Sequence, residues 1–289
     1  MSTLIKKLRA IQQALILSLV VFVLIPTLIL GFALSHSYNS VWLASAVALI
    51  VLLDIGANVL NNYSDWETDL FNNKRNKMHK NISKKTLLYL YLSSQILILI
   101  PFYFLPNKGY LALFTFCFIA LGILYSFGIK LKEITPLNYV AIGIAYAFLP
   151  ISMGLFAGGS TYNTYINWLP LILFMSMVTF SYTIAKEYSD VFGDSKSGRK
   201  TLPLLLGKEK SIRAQFVFIA LSYLFLIVLI ASGYLKYTFL LALLSLVFEI
   251  YILINMRNTE NQPKLVKFAL YNKISHLFLR VLIVISFLV

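Results

Sequence analysis

Residues 41–69 read VWLASAVALIVLLDIGANVLNNYSDWETD, an apolar run that ends in a cluster of amides and carboxylates. An α-helix of about 20 predominantly apolar residues is long enough to cross the hydrocarbon core of a bilayer. We therefore expect this stretch to cross a membrane and to place its polar end, from Asn61 to Asp69, at one membrane surface.

The composition of the whole chain favours the same solvent. Of its 289 residues, 59% are hydrophobic and only 12% are charged, which is about half the charged fraction of a soluble domain. Similar apolar runs, about nine in all, are centred near Leu19, Leu52, Ile96, Ala120, Ala147, Met175, Leu224, Leu244 and Leu282. The sequence predicts an all-α, polytopic membrane bundle of about nine transmembrane helices.

The basic residues predict how this bundle lies in the membrane. Short cytoplasmic loops retain Lys and Arg, whereas translocated loops lack them. With a cytoplasmic N-terminus, one set of loops holds nearly all basic residues and the opposite loops hold only Lys108 and Lys236. We therefore expect a multi-pass protein of the cell membrane whose basic cytoplasmic face attracts anionic groups. The basic residues are split among short loops, so nucleic acid is not an expected partner.

A second acidic cluster follows the sixth apolar run, where residues 186–194 read KEYSDVFGD. Asn61, Asp65 and Asp69 are spaced four apart and share one helical stripe, and Asp190 and Asp194 repeat that spacing. Mg²⁺ prefers oxygen ligands and is commonly held by one or two carboxylates plus substrate phosphates. If the two stripes face each other, they predict a metal site whose ligands are shared between two helices. The alternative, solvated carboxylates at helix ends, is less favoured because the chain has only eleven acidic residues.

The two acidic clusters lie four helices apart, which suggests an internal duplication. We predict one membrane domain over residues 1–289, built from two four-helix pseudo-repeats at about residues 10–132 and 137–256. A final helix follows the second pseudo-repeat.

These motifs resemble those of the UbiA superfamily of intramembrane prenyltransferases. The first family signature is Asn-(Asp)-x-x-Asp-x-x-x-Asp and the second is Asp-x-x-x-Asp. The stretch from Lys186 to Pro203 also resembles the family's longer Lys-Asp-x-x-Asp-x-x-Gly-Asp…Gly-x-x-Thr-Leu-Pro block, and residues 124–143 resemble its Tyr-Ser…Lys-Leu-Lys…Gly-Asn…Gly segment. Asn62 and Glu187 stand where many members have aspartate, and residues 73–80 replace the usual Arg-Pro stretch.

The resemblance implies a helical bundle around a central cavity and magnesium-dependent transfer of a prenyl group from an isoprenyl diphosphate to a lipophilic acceptor, releasing diphosphate. The implied metal ligands are Asn61, Asp65, Asp69, Asp190 and Asp194, with Glu187 as an addition, and the four aspartates are the implied catalytic residues. The candidate diphosphate-binding residues are Arg75, Lys77, Lys130, Lys132, Lys186, Arg199 and Lys200. The candidate substrate-cavity residues are Asp54, Asn58, Asn62, Tyr125, Asn138, Tyr139 and Tyr146.

Two questions stay open at the level of sequence. A lipid or isoprenoid acceptor is favoured because the block from Glu187 to Pro203 resembles the archaeal-lipid and chlorophyll synthase branches, and an aromatic quinone precursor is the alternative. A polytopic transporter without prenyl transfer activity is the rival function, since transporters also carry polar residues inside helices. Glu249 and Arg280, both within apolar runs, are expected to pair with each other or to face a cavity.

Overall fold

The computed structural model describes residues 10–11, 20–67, 76–196, 200–259 and 262–289. Within these ranges the chain is almost entirely helical and contains no strand. The main helices are α1 Phe22–Leu34, α2 Ser40–Ser64, α3 Lys84–Tyr103, α4 Lys108–Ser126, α5 Leu137–Ala157, α6 Tyr162–Lys196, α7 Lys208–Ala231, α8 Tyr237–Arg257 and α9 Gln262–Leu288. Two short helices, Asn76–Asn81 and Leu202–Leu206, lie in the connections.

The prediction of an all-α membrane bundle is confirmed. Helices α2 to α9 contain eight segments that are long and apolar enough to cross a bilayer, and the described part of α1 is a shorter apolar helix. These helices coincide with the predicted apolar runs because the length of each run matches the thickness of the hydrocarbon core. The boundaries of the two pseudo-repeats remain a prediction.

Helices α5 and α6 form the centre of the bundle. In the most apolar 18 residues of α5, 67% of the residues are buried, against 22% in the corresponding stretches of α3 and α4. The distal part of α5, Leu149–Ala157, is buried at every position. Helix α6 continues beyond its apolar span, so that residues Lys186–Lys196 carry the second acidic cluster out of the span on a rigid helix.

A π-helical turn precedes a proline in both α1 and α5. The turns are Val20–Leu24, which overlaps the start of α1 and precedes Pro26, and Ile144–Phe148 within α5, which precedes Pro150. A proline has no backbone N–H to donate to the carbonyl four residues earlier, so the ladder of helical hydrogen bonds shifts at that point. In α5 the shifted turn contains Tyr146, a predicted cavity residue.

Helices α1 and α5 cross in backbone contact at two glycines. A Cβ atom built on Gly31 would lie 2.1 Å from the carbonyl oxygen of Ile151, and one on Gly154 would lie 2.2 Å from that of Leu28. No side chain fits at either position. Small residues of this kind allow transmembrane helices to approach closely, which is a main source of helix association in lipid.

Replacing Gly154 with valine is expected to destabilise the bundle by at least about 2 kcal/mol, because α1 and α5 must separate to admit the side chain. The measurement is thermal unfolding of the purified protein in detergent. Gly109→Ala is the matched control, since a Cβ on Gly109 meets no atom within 4 Å. Equal melting temperatures for the two variants would contradict this account of the crossing.

Candidate active site

The predicted central cavity lies between α1, α2, α4, α5, α6 and α9 and has a volume of about 250 Å³. Apolar residues such as Phe118, Leu121 and Ile142 form much of its wall. Its polar lining residues are Asn58, Asn61, Tyr125, Ser126, Tyr146, Thr179, Tyr182, Thr183, Asn272, Lys273 and His276. A mostly apolar pocket with a few convergent polar groups is the usual form of a small-molecule site.

The first acidic cluster, at the end of α2, surrounds the ammonium group of Lys132. The Nζ atom of Lys132 lies 2.6 Å from Asp65 Oδ1, 2.8 Å from Ser64 Oγ and 3.0 Å from Asn61 Oδ1. The side chain of Lys132 is buried. The three oxygens satisfy its donors, which is the condition under which a buried ammonium is tolerated.

The loop between α4 and α5 brings Lys132 to this position. Gly128 and Lys130 adopt positive φ angles of 61° and 51°, a conformation that glycine adopts without strain and that reverses the chain. A single 3₁₀ turn, Leu131–Glu133, follows. Lys130 remains exposed and lies 3.6 Å from Glu133, whereas Lys132 points into the protein.

The second acidic cluster is anchored through Glu187 on α6. Its carboxylate accepts hydrogen bonds from Asn138 Nδ2 at 3.0 Å, from the Tyr139 hydroxyl, and from the backbone N–H of Leu202 at 3.3 Å. These bonds attach the start of the short helix Leu202–Leu206 to α5 and α6. Burial raises the pKa of the neighbouring Tyr188, so its hydroxyl stays neutral at physiological pH.

One segment, Lys132–Tyr139, contacts both acidic clusters. Lys132 binds the cluster at the end of α2, while Asn138 and Tyr139 bind Glu187 on α6. Between them, the Thr135 hydroxyl donates to the carbonyl oxygen of Lys200 at 2.5 Å. The ends of α2 and α6 therefore lie at the same end of the bundle, next to the cavity that Asn61 lines. This end is called the mouth below.

The structure brings some of the predicted site residues to the cavity and leaves others away from it. Four of the predicted cavity residues line the cavity: Asn58, Asn61, Tyr125 and Tyr146. Asp54 lies one helical turn before Asn58 on α2 and accepts a hydrogen bond from Asn58 Nδ2 at its Oδ2 atom, at 2.6 Å. The remaining predicted cavity residues, Asn62, Asn138 and Tyr139, are buried but are not among the lining residues. Tyr139 instead directs its hydroxyl to Glu187.

Other predicted residues fall outside the described part of the structure. Asp69, Arg75 and Arg199 lie outside the described residues. Lys77, Lys186, Asp190 and Asp194 have a described helical backbone, but their side chains lie outside the description. Asp190 follows Glu187 by three positions on α6, close to one helical turn, so its backbone belongs to the mouth. Lys200 is exposed.

The polar wall formed by α9 was missed at the level of sequence. Asn272, Lys273 and His276 all line the cavity. Their spacing within the last apolar run is helical and was the available signal. The expected pair of Glu249 and Arg280 is wrong: in the described residues Arg280 instead donates to Thr27 and His276, and Glu249 lies beside Tyr182 and Ser275. The two charged residues sit on separate helices and each meets nearer neighbours.

A sequence model of the UbiA prenyltransferase family matches residues 23–274. The chain belongs to this family. Both acidic clusters, Lys132 and every cavity-lining residue except His276 fall within the matched region. Together with the eight apolar spans, family membership makes the protein an integral, multi-pass membrane protein.

Several curated relatives are digeranylgeranylglyceryl phosphate synthases. The chain is 28% identical to that of Pyrococcus furiosus over 62% of each protein, so the match spans less than two thirds of that relative. It is 30% identical to that of Methanococcoides burtonii over 86% of this chain and 88% of the relative. A more distant function is represented by the 2-acyl-4-prenylphloroglucinol 6-prenyltransferase of Humulus lupulus, which is 28% identical over 61% of this chain and 45% of its own length.

Solved UbiA structures share the fold. A UbiA homologue from Archaeoglobus fulgidus, bound to DMAPP and Mg²⁺, superposes with a TM-score of 0.69 over 94% of this chain and 98% of the homologue. The two sequences are 14% identical, so this likeness shows the fold alone.

Proposed function

We propose that this protein transfers a prenyl group from an isoprenyl diphosphate to a lipophilic acceptor in a magnesium-dependent reaction. The observation that carries the proposal is the segment Lys132–Tyr139, which contacts both acidic clusters at the mouth of one apolar cavity. A transporter needs its ion and substrate sites near the midplane of the bilayer. Here both acidic motifs lie at one end of the helices, and Asp54 and Glu249 are single carboxylates within the spans of α2 and α8.

The residues at the end of α2 suit a hard cation. Asn61, Ser64 and Asp65 already direct three side-chain oxygens at one positive centre, the ammonium of Lys132. Asn61 and Asp65, with Asp69, Asp190 and Asp194, are the proposed magnesium ligands. When bound, magnesium would neutralise the charge that develops on the leaving diphosphate. Family relatives support this choice, since the Archaeoglobus fulgidus homologue binds DMAPP with Mg²⁺.

The protein's own side chains supply the rest of the chemistry. Lys132 is placed to donate hydrogen bonds to a diphosphate oxygen from the position in which it now binds Asp65, and a charge-assisted bond of this kind is among the stronger ones. The apolar wall around Phe118, Leu121 and Ile142 excludes water from the allylic cation. Tyr125 and Tyr146 line the same wall, and their ring faces favour a nearby cation.

We propose a lipid or isoprenoid acceptor ahead of an aromatic one. Digeranylgeranylglyceryl phosphate synthases of several archaea are similar to the chain, and one match extends over most of both proteins. The Humulus lupulus enzyme, whose name gives an acylphloroglucinol, an aromatic compound, as its substrate, supports the aromatic alternative over a shorter match. The distribution of Lys and Arg supports a mouth that opens to the cytoplasm, where soluble diphosphates are available.

The test is turnover by purified protein in detergent or reconstituted vesicles. Geranylgeranyl diphosphate is incubated with a panel of lipid and aromatic acceptors, and diphosphate release and prenylated products are measured, the latter by mass spectrometry. We expect a prenylated lipid product that disappears with EDTA and returns when excess Mg²⁺ is added. Movement of a solute across vesicles without diphosphate release would instead establish the transporter.

A further inference from the structure

A buried guanidinium lies one helical turn from the cavity wall. Arg280, on α9, is 1% exposed. Its Nη1 atom donates to the carbonyl oxygen of His276 at 2.7 Å and to His276 Nδ1 at 3.0 Å, and its Nε atom donates to the Thr27 hydroxyl on α1. Its Nη2 atom has no hydrogen-bond partner among the described residues.

This guanidinium has only neutral partners in the part of the chain that the structure describes. No carboxylate there forms an ion pair with Arg280, and Glu249 instead lies beside Tyr182 and Ser275. A charge at membrane depth is costly, and such residues are normally paired or turned to a polar cavity. A positive charge kept without a counter-ion next to a substrate cavity is therefore suited to an anion that enters with the substrate.

His276 connects this charge to the cavity. It is a lining residue, and its Nδ1 atom must accept the hydrogen bond from Arg280, because a guanidinium has no acceptor. In the neutral ring the proton is then on Nε2. No described residue accepts a hydrogen bond from Nε2. The ring borders the cavity and packs in a T-shaped arrangement against Tyr182, so this N–H is available to a bound molecule. Asn272 and Lys273 line the same wall of the cavity.

We propose that His276 and Arg280 form a binding site for the anionic head group, phosphate or carboxylate, of the acceptor. The proposal rests on the proposed prenyl transfer and narrows it to an acidic acceptor. His276 is the contacting residue, through Nε2–H. Arg280 acts through it as a positioning residue that fixes the tautomer and adds positive charge to this wall. The site is distinct from the mouth, where Asp65 and Lys132 act on the prenyl diphosphate.

The test separates charge recognition from packing with paired acceptors. The first pair is a prenylglycerol phosphate and the same prenylglycerol without phosphate, and the second is a hydroxybenzoic acid and its methyl ester. For His276→Phe we expect the KM of the acidic acceptor that is used to rise by about tenfold or more, the size of one charge-assisted hydrogen bond. The KM for geranylgeranyl diphosphate and the turnover of any neutral acceptor that reacts should stay unchanged.

Three further variants keep the test decisive. His276→Gln places an amide N–H near the position of Nε2 and should recover most of the affinity for the acidic acceptor. Arg280→Met should raise the same KM without changing that of the prenyl diphosphate, provided that its melting temperature shows a folded protein. Phe278→Leu, at an exposed position on α9, is the control and should behave as wild type.

The outcomes distinguish failure of this inference from failure of the proposed function. Equal KM changes for acidic and neutral acceptors, or none in folded His276→Phe, would overturn the head-group site while leaving prenyl transfer intact. If only phosphate lipids respond, the head group is a phosphate, and if only the aromatic acid responds, it is a carboxylate. Absence of turnover by the wild-type protein with every acceptor would overturn both proposals.

Discussion

Replacing Asp65 with asparagine is expected to lower the rate of prenyl transfer by at least about 100-fold, the effect of removing a principal group that stabilises developing charge. The substitution removes a negative charge from the oxygen cluster around Lys132 while preserving its shape. The amide oxygen can still accept the hydrogen bond from Lys132, which also keeps Asn61 and Ser64 as partners. The buried ammonium nevertheless loses its counter-charge, so we also expect a lower melting temperature for this variant.

The measurement is diphosphate release by purified variants at saturating geranylgeranyl diphosphate, with size-exclusion chromatography and thermal unfolding as checks on folding. Glu67→Gln is the matched control, because Glu67 lies two residues away, loses the same charge and has a side chain that is 87% exposed. Asp190→Asn, in the second cluster, should reproduce the loss. A folded Asp65→Asn protein with wild-type turnover would remove Asp65 from the proposed metal site.

The second large effect is expected for Lys132→Met. Methionine keeps much of the apolar stem of the side chain but removes the ammonium that is proposed to bind the diphosphate. We expect the KM for geranylgeranyl diphosphate to rise by about tenfold or more. The Mg²⁺ concentration for half-maximal activity should fall, because the ammonium no longer competes with the metal ion for Asp65.

These opposite shifts are measured by titrating substrate at fixed Mg²⁺ and Mg²⁺ at fixed substrate. A purely structural role for Lys132 would lower stability or turnover without moving the two constants in opposite directions. Lys84→Met is the control, since Lys84 is a partly exposed lysine that pairs only loosely with Glu67 at 3.4 Å. An unchanged KM for the prenyl diphosphate would contradict the proposed role of Lys132.

The fold could be predicted from the sequence because a bilayer permits few backbone structures for a segment that spans it. Runs as long as 41–60 must satisfy their own backbone hydrogen bonds, which only a helix achieves within one segment. The spacing of Asn61 and Asp65 also predicted a shared helical face, and the structure confirms that both side chains meet one cation. Family membership followed from the same motifs and is confirmed.

What the sequence did not reveal are contacts between helices distant in the chain. Lys132 was one of seven basic candidates, and nothing in its local sequence distinguishes its buried position from the exposed position of Lys130. The Glu249 and Arg280 pair seemed natural from composition, but a pairing rule cannot specify which faces of α8 and α9 meet. The position of His276 at the cavity likewise depends on which face of α9 is turned toward the other helices, and the sequence does not specify this.

The complete burial of Leu149–Ala157 shields this half of α5 from direct contact with the surrounding lipid. When a membrane becomes thicker or thinner, helices adapt by tilting, and the lipid-exposed α3 and α4 are the ones that feel this force directly. Along Leu149–Ala157, helix α5 is surrounded by protein and contacts the backbone of α1 at Gly154. Tyr146 lies just before this segment, so its position depends on packing within the protein. We therefore expect the part of the cavity wall that Tyr146 forms to change little when the bilayer becomes thicker or thinner.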